Sequence, residues 1–213
     1  MHEQPPAMIQ IAGPNGCGKT TLYKKLLEPY LSKGGLSWNY INADDIEREM
    51  RNSDDSTSLG LDKDLSIQAR EEADWQREQL LKPGNEMSFV FETVFSDDKG
   101  RRLEYMQKAR VAGYYVVLIF VSVRDVNLSA ERVMQRVFEG GHDVPIATQI
   151  ARFDRVLINA KKAICIADLC LFLDNSNTNT NASVSHEAVG VFKSGILVET
   201  TKSPPKWFTE MLI

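Results

Sequence analysis

The sequence predicts an α/β fold built on a mainly parallel sheet with helices on both faces. Three observations predict it. Short apolar runs alternate with longer stretches whose apolar residues recur at helical spacing. The strongest run, Tyr115 to Val123 (YVVLIFVSV), is apolar almost throughout, which fits a strand buried on both faces. Gly, Pro and Asn separate the segments. Strands that alternate with helices pair in parallel, because each return to the sheet needs a crossover.

Each element has its own reason. Met8 to Ala12 (MIQIA) reads as a buried strand because glycine follows at once. Leu22, Leu26, Leu27 and Tyr30 then repeat at near-helical spacing, and Pro29 is expected to end or kink that helix before Gly34-Gly35. Trp38 to Asn42 (WNYIN) is a second strand. Ala43 to Met50 opens a helix with acids in its first turn. Asn52 to Gly60 is a polar loop. Leu65 to Leu81 places Leu65, Ala69, Ala73 and Leu80 on one helix face, and Pro83-Gly84 stops it. Met87 to Phe91 is a strand ending on Glu92-Thr93, followed by a helix over Asp98 to Val111.

After Tyr115–Val123 come two helices joined by GGHDVP. Leu128, Val133, Met134 and Val137 mark the first; Ile146, Ile150, Phe153 and Leu157 mark the second. Leu169 to Leu173 (LCLFL) is a further buried strand, ending on Asp174-Asn175-Ser176. Asn175 to Ser185 is Asn/Ser/Thr-rich and expected to be an exposed loop. Val189–Phe192 and Ile196–Glu199 flank Lys193-Ser194-Gly195 as a terminal β-hairpin.

Composition narrows the function classes. The 213 residues, 43% hydrophobic and 25% charged, fit one domain over 1–213, with a core at 7–176 and a C-terminal loop and hairpin at 177–213. A net charge of −4 argues against an extended nucleic-acid surface. Cys17, Cys165 and Cys170 are too few and scattered for a disulfide framework or zinc site and fit a reducing, cytoplasmic setting. The longest apolar stretch, Tyr114 to Val123, is far short of the ~20 residues a membrane helix needs. MHEQPPAMIQIAG lacks the pattern of a signal peptide, and a first strand at Met8 leaves no room for an N-terminal regulatory domain.

Ligands of parallel sheets sit beyond the carboxyl ends of the strands, so the residues just after each strand carry the functional information. Gly13-Pro14-Asn15-Gly16-Cys17-Gly18-Lys19-Thr20, followed by Thr21, matches G-x-x-x-x-G-K-[ST]. The glycines let backbone N–H groups converge on phosphate oxygens, and the helix N-terminus adds partial positive charge. Lys19 supplies a charge for the β/γ phosphates, and Thr20 a hydroxyl ligand for Mg²⁺. An apolar strand before the motif and a helical pattern after it exclude a chance Gly-rich turn, so the chain is expected to have the P-loop NTPase fold. Cys17 inside the loop is either a small space-filler or a thiol activated by the helix N-terminus.

No N-K-x-D or L-S-G-G-Q motif is present, which weighs against a GTPase switch and a transporter ATPase. Two strands end on an acid suited to a Mg²⁺-bound water, Glu92 and Asp174; Glu92 is preferred because the third strand of P-loop kinases usually neighbours the first. Asp44 and Asp45 follow the second strand, as a base for a substrate hydroxyl or as a helix cap. Arg132 and Arg136 are helical neighbours, as are Arg152 and Arg155. They form either a phosphate-clamping lid about the Gly140-Gly141 hinge, or solvated arginines paired with Glu131, Glu139 or Asp154. His142 in the hinge fits a turn role as well as chemistry.

GPNGCGKTTL (13–22), YINADDI (40–46), FVFETVFS (89–96), ERVMQRVFEGGHDVP (131–145), the next helix with Arg152, and ADLCLFLDNS (167–176) together resemble the zeta toxin family of P-loop kinases, over about residues 7–176. The resemblance is closest to its short stand-alone members. It implies transfer of the γ-phosphoryl group of ATP to a hydroxyl of UDP-N-acetylglucosamine. By position it implies Lys19 on the ATP phosphates, Thr20 on Mg²⁺ and Asp44 as base. It further implies Glu92 and Thr93 in the acceptor pocket, and Arg132 on the transferred group. The family's second lid arginine falls on Arg136, toward ATP, or Arg152, toward the acceptor. Its acceptor-binding acid before the third strand has only Asp74 and Glu78 as counterparts. A separate antitoxin protein is also implied. The alternatives are a kinase of another small molecule (nucleoside, antibiotic or polynucleotide end) and a non-enzymatic ATP-binding module.

Overall fold

The computed structural model describes residues 5–34, 37–53, 62–138, 145–177 and 186–213. Among them a seven-stranded sheet runs in the order β2-β3-β1-β4-β5-β6-β7. The strands are β1 Ala7–Ala12, β2 Asn39–Ile41, β3 Phe89–Thr93, β4 Tyr115–Ser122, β5 Leu169–Asp174, β6 Glu187–Lys193 and β7 Ile196–Thr200. From β2 to β5 every pairing is parallel; β6 and β7 continue the sheet antiparallel. The expected terminal hairpin is therefore an extension of the main sheet.

The helices are α1 Lys19–Leu22, α2 Glu28–Lys33, α3 Ala43–Ser53, α4 Asp62–Leu80, α5 Arg101–Val111, α6 Val126–Phe138, α7 Ile146–Ala163 and α8 Lys206–Leu212. A π-helical turn, Tyr23–Leu27, joins α1 to α2. It explains why Pro29 does not end the helix: Pro29 falls in the first turn of α2, where a missing N–H costs little. Asn52 and Ser53 belong to α3 rather than to the expected loop, the rest of which lies outside the described residues. The hinge GGHDV at 140–144, with His142, also lies outside them.

Alternation along the strands splits the core into two layers. Met8, Phe89, Phe91, Leu118, Phe120 and Phe172 face the side covered by α4, α5, α7 and α8. Ile9, Ile11, Val90, Ile119 and Val121 face the side of the P-loop helix, with Leu22, Tyr23 and Leu31. The C-terminal helix α8 was not expected from the sequence. Its Trp207, Phe208 and Met211 are buried, and Phe208 lies so close over Gly190 that a Cβ there would sit 2.3 Å from the ring. No described helix is long and apolar enough to cross a membrane.

Candidate active site

β1 lies inside the sheet, and Gly13 to Gly18 fold over its carboxyl end into α1. Space dictates all three loop glycines; a Cβ on Gly16 (φ 70) would stand 2.5 Å from the Ser129 carbonyl oxygen. A Cβ on Gly13 (φ 149) would stand 1.9 Å from the Val121 carbonyl oxygen; one on Gly18 (φ 94) would stand 2.4 Å from Nδ2 of Asn175. Lys19 Nζ donates to the carbonyl oxygens of Gly13 at 3.0 Å and Pro14 at 2.9 Å, which holds the ammonium over the loop. No side chain caps the start of α1, so the positive end of the helix faces the loop. Cys17 is fully buried. Burial pushes its thiol up against the opposing pull of Lys19, so it stays protonated and serves as a space-filler.

β3 pairs directly with β1, opposing Ile11 to Glu92 and Ala12 to Thr93. Thr20, the exposed residue after the lysine, donates from Oγ1 to Glu92 Oε2 at 2.9 Å. Asp174, the other strand-end acid, stands at the end of β5, separated from β1 by β4. Its carboxylate accepts from Trp207 Nε1 at 2.6 Å and from Ser176 Oγ at 3.0 Å. Glu92 is thus the acid that meets the loop.

β2 lies on the far side of β3. Tyr40 donates from its hydroxyl to Glu92 Oε1 at 2.5 Å and accepts from Asn42 Nδ2 at 2.9 Å. Burial and the adjacent Glu92 push the Tyr40 phenol well above its ordinary range. Asn42 Oδ1 accepts the Asp44 N–H at 2.9 Å, and the Asn42 carbonyl accepts the Ile46 N–H at 3.0 Å. Asn42 is therefore the residue that caps α3. Asp44 is exposed, and its carboxylate has no hydrogen-bond or ion-pair partner among the described residues. Asp45 pairs with Arg48. The two adjacent acids thus have different surroundings.

α6 closes over the other side of the loop. Ser129 donates from Oγ to the Asn15 carbonyl at 2.5 Å, and half-buried Arg132 donates from Nη1 to the Asn175 carbonyl at 2.8 Å. Asn175 in turn donates from Nδ2 to the Cys17 carbonyl at 2.8 Å. The expectation of an exposed loop fails at Asn175, which is 6% exposed and backs the phosphate loop. His186 Nε2 lies 3.2 Å from the Gly18 carbonyl oxygen, and burial lowers its imidazole below the ordinary range.

Arg152 of α7 lines a small void with Pro14 and Asn15. Burial, reinforced by Arg70 and Arg155, lowers its guanidinium from the usual range. Arg70 on α4 was missed in the sequence because nothing in its own segment marks it. Arg155 is exposed. The side chain of Arg136 lies outside the described residues. Asp74 pairs with Arg77 and, at 2.9 Å, with Arg102; Glu78 pairs with Lys108 at 3.6 Å. Those two acids brace α4 against α5.

Thr93 Oγ1 accepts the Phe95 N–H at 3.2 Å at a turn where buried Phe95 has φ 66. Asn159 of α7 clamps that turn, donating from Nδ2 to the carbonyls of Phe95 and Asp97, both at 2.9 Å. Left-handed backbone at a bulky residue is unfavourable, and the clamp offsets it.

Lys19, Thr20, Glu92 and Arg132 thus lie about the phosphate loop, with Asp44 in the first turn of α3, which follows the strand beside β3. The donor set suits Mg²⁺ rather than a softer metal. Thr20 and Glu92 offer oxygen ligands only.

No curated protein matches the chain. The crystal structure of AvrRxo1-ORF1:AvrRxo1-ORF2 with sulphate ions is similar at a TM-score of 0.71 and 18% identity, over 98% of this chain and 64% of that one. The same complex with ATP gives 0.71 and 17%, with the same coverage of 98% and 64%. This chain therefore spans less than two thirds of the AvrRxo1 chains it matches. The PezAT chromosomal toxin-antitoxin system of the human pathogen Streptococcus pneumoniae gives 0.57 and 15%, over 99% of this chain and 85% of that one. These likenesses show the fold, a mainly parallel α/β sheet with the phosphate loop after its first strand. The model of the family described as Zeta toxin matches residues 1–181. With most of its length matched, the chain belongs to the Zeta toxin family and has its kinase-like, ATP-binding fold.

Proposed function

We propose that this protein is an ATP-dependent small-molecule kinase. It transfers the γ-phosphoryl group of ATP to a hydroxyl of a sugar nucleotide such as UDP-N-acetylglucosamine. The observation that carries this reading is the Thr20–Glu92 pair at the end of the phosphate loop, with unpaired Asp44 at the end of the neighbouring strand. A nucleotide-binding switch has no need of a free carboxylate there.

Gly13 to Thr21 cradle the phosphates through backbone N–H groups, and Lys19 exchanges its loop carbonyls for phosphate oxygens. Mg²⁺, when bound, neutralises charge building on the β and γ phosphates. Thr20 would hold it directly and Glu92 through water. Asp44 takes the proton of the acceptor hydroxyl as that oxygen bonds to the γ-phosphorus, and the bond to the ADP oxygen breaks with its electron pair. Arg132 releases the Asn175 carbonyl and stabilises the transferred group. Glu92 and Thr93 line the acceptor side. Arg152, and Arg136 near the hinge, complete the lid.

A single kinase unit spans 1–213 in this reading, with its core at 7–176. The setting is cytoplasmic, where ATP and sugar nucleotides occur, and an antitoxin protein is the expected partner. One observation favours a second acceptor class, a nucleoside or an antibiotic. Asp74 and Glu78 are committed to ion pairs on α4 and α5, so the family's acceptor-binding acid has no free counterpart there.

ATP consumption across a metabolite panel, with ATP binding measured by calorimetry, tests the proposal. Asp44→Asn is expected to lower turnover by about 10²–10⁴-fold while sparing ATP binding. Lys19→Ala is expected to lose both. Normal turnover by the Asp44 variant would remove it as the base.

A further inference from the structure

Glu92 is held at both oxygens, by Thr20 on Oε2 and by Tyr40 on Oε1. The second contact is the less expected, because Tyr40 stands in the YINADDI segment with no role of its own, four residues before Asp44. Its hydroxyl has both roles filled, donating to Glu92 and accepting from Asn42. Its ring is fixed as well: it stacks on Tyr23 with centroids 3.6 Å apart and planes 5° apart. Tyr23 opens the π-helical turn that directly follows α1. Such single π turns often mark functional positions. An unbroken series of hydrogen bonds results, from Thr20 through Glu92, Tyr40 and Asn42 to the backbone of Asp44. It joins the end of the phosphate loop to the start of the helix that carries Asp44.

We infer that Tyr40 is a positioning residue: its hydroxyl locks the orientation of the Glu92 carboxylate and ties it to Asn42, the cap that sets where Asp44 stands. The inference rests on the reading that Thr20 and Glu92 face Mg²⁺-ATP and Asp44 faces the acceptor. A carboxylate with one oxygen free can rotate, whereas one bonded at both cannot without breaking a hydrogen bond. Supporting residues of this kind typically change metal affinity or activity by about 10–100-fold. A purely structural tyrosine would affect stability without altering the response to the cation.

Two variants of the full chain test this. Tyr40→Phe keeps the ring stack and removes the hydroxyl. Asn42→Asp keeps an oxygen to cap Asp44 but removes the donor to Tyr40. Each is first checked for folding by its Tm without ligand. ATP binding is then measured by calorimetry with and without Mg²⁺, beside kcat and KM. Both variants are expected to bind ATP alone as the wild type does. Both are expected to lose most of the affinity that Mg²⁺ adds, and to fall about 10–100-fold in kcat. A wild-type Mg²⁺ increment with unchanged kcat in Tyr40→Phe overturns the inference, as does a change confined to Tm. If the wild type shows no acceptor-stimulated turnover, the proposed function fails, while the Mg²⁺ increment still tests Tyr40.

Discussion

The hydroxyl of Thr20 donates to Oε2 of Glu92 at 2.9 Å across 72 positions of the chain. Parallel pairing of β1 with β3 sets this contact, since Ile11 and Glu92 are in register. It puts one hydroxyl and one carboxylate together at the end of the phosphate loop, the pair that holds the cation in the proposed function. Glu92→Gln keeps the shape and removes the charge. Mg²⁺-dependent turnover is expected to fall about 10–100-fold, with ATP binding in the absence of Mg²⁺ retained. Turnover at the wild-type rate would show that Glu92 does not serve the cation.

The clamp from Asn159 to Phe95 and Asp97 makes a stability prediction. Asn159→Ala leaves two carbonyls without donors beside a left-handed phenylalanine. At about 1–3 kcal/mol for each lost partner, the variant should lose roughly 2–6 kcal/mol. Denaturant unfolding measures this directly, and a loss under ~0.5 kcal/mol would mean the turn holds itself.

Gln10 lies fully buried between Phe91 of β3 and Leu118 of β4, and neither of its amide atoms has a partner among the described residues. A buried amide without partners costs stability, whereas methionine of similar shape does not. Gln10→Met is expected to stabilise the fold by about 1 kcal/mol, raising Tm by roughly 2–4 °C. A lower Tm would indicate that the amide is hydrogen-bonded in solution.

His186 predicts a pH dependence. Burial, aided by Arg132, holds its proton affinity below the unfolded value of 6.5, and the Gly18 carbonyl opposes this only in part. The unfolded chain therefore takes up the proton first. Stability is full above about pH 6.5 and declines as pH falls below it, by at most about 1.4 kcal/mol per pH unit. Between pH 7 and pH 5 the wild type should lose more Tm than His186→Gln. Equal losses would remove His186 as the cause.

Parts of the fold and site governed by local pattern were legible in the sequence. β1 with its glycine loop, the apolar run of β4, and the F-V-F-E end of β3 are each set by residues adjacent in the chain. The sequence also favoured Glu92 over Asp174, because the neighbour of β1 follows from how such sheets are wound. What escaped depends on distant partners. Asn175 sits in an Asn/Ser/Thr-rich stretch that reads as loop, yet its amide reaches Cys17 across the sheet. Tyr40 reads in the sequence as a strand aromatic, and only the pairing of β2 with β3 brings it to Glu92. Asp74 and Glu78 read as free acids in the sequence because their partners Arg102 and Lys108 come from α5. The helix α8 had a usable signal, Pro204-Pro205 before Trp207, Phe208 and Met211, but seven residues are too few for periodicity to stand out.

In the proposed function the protein transfers a phosphoryl group to a small hydroxyl acceptor. ³¹P NMR of the protein with ATP, Mg²⁺ and UDP-N-acetylglucosamine tests it most directly. The expected result is ADP together with a new phosphomonoester signal, both absent when Asp44→Asn replaces the wild type. ATP left intact with this acceptor and with every other hydroxyl compound supplied would contradict it.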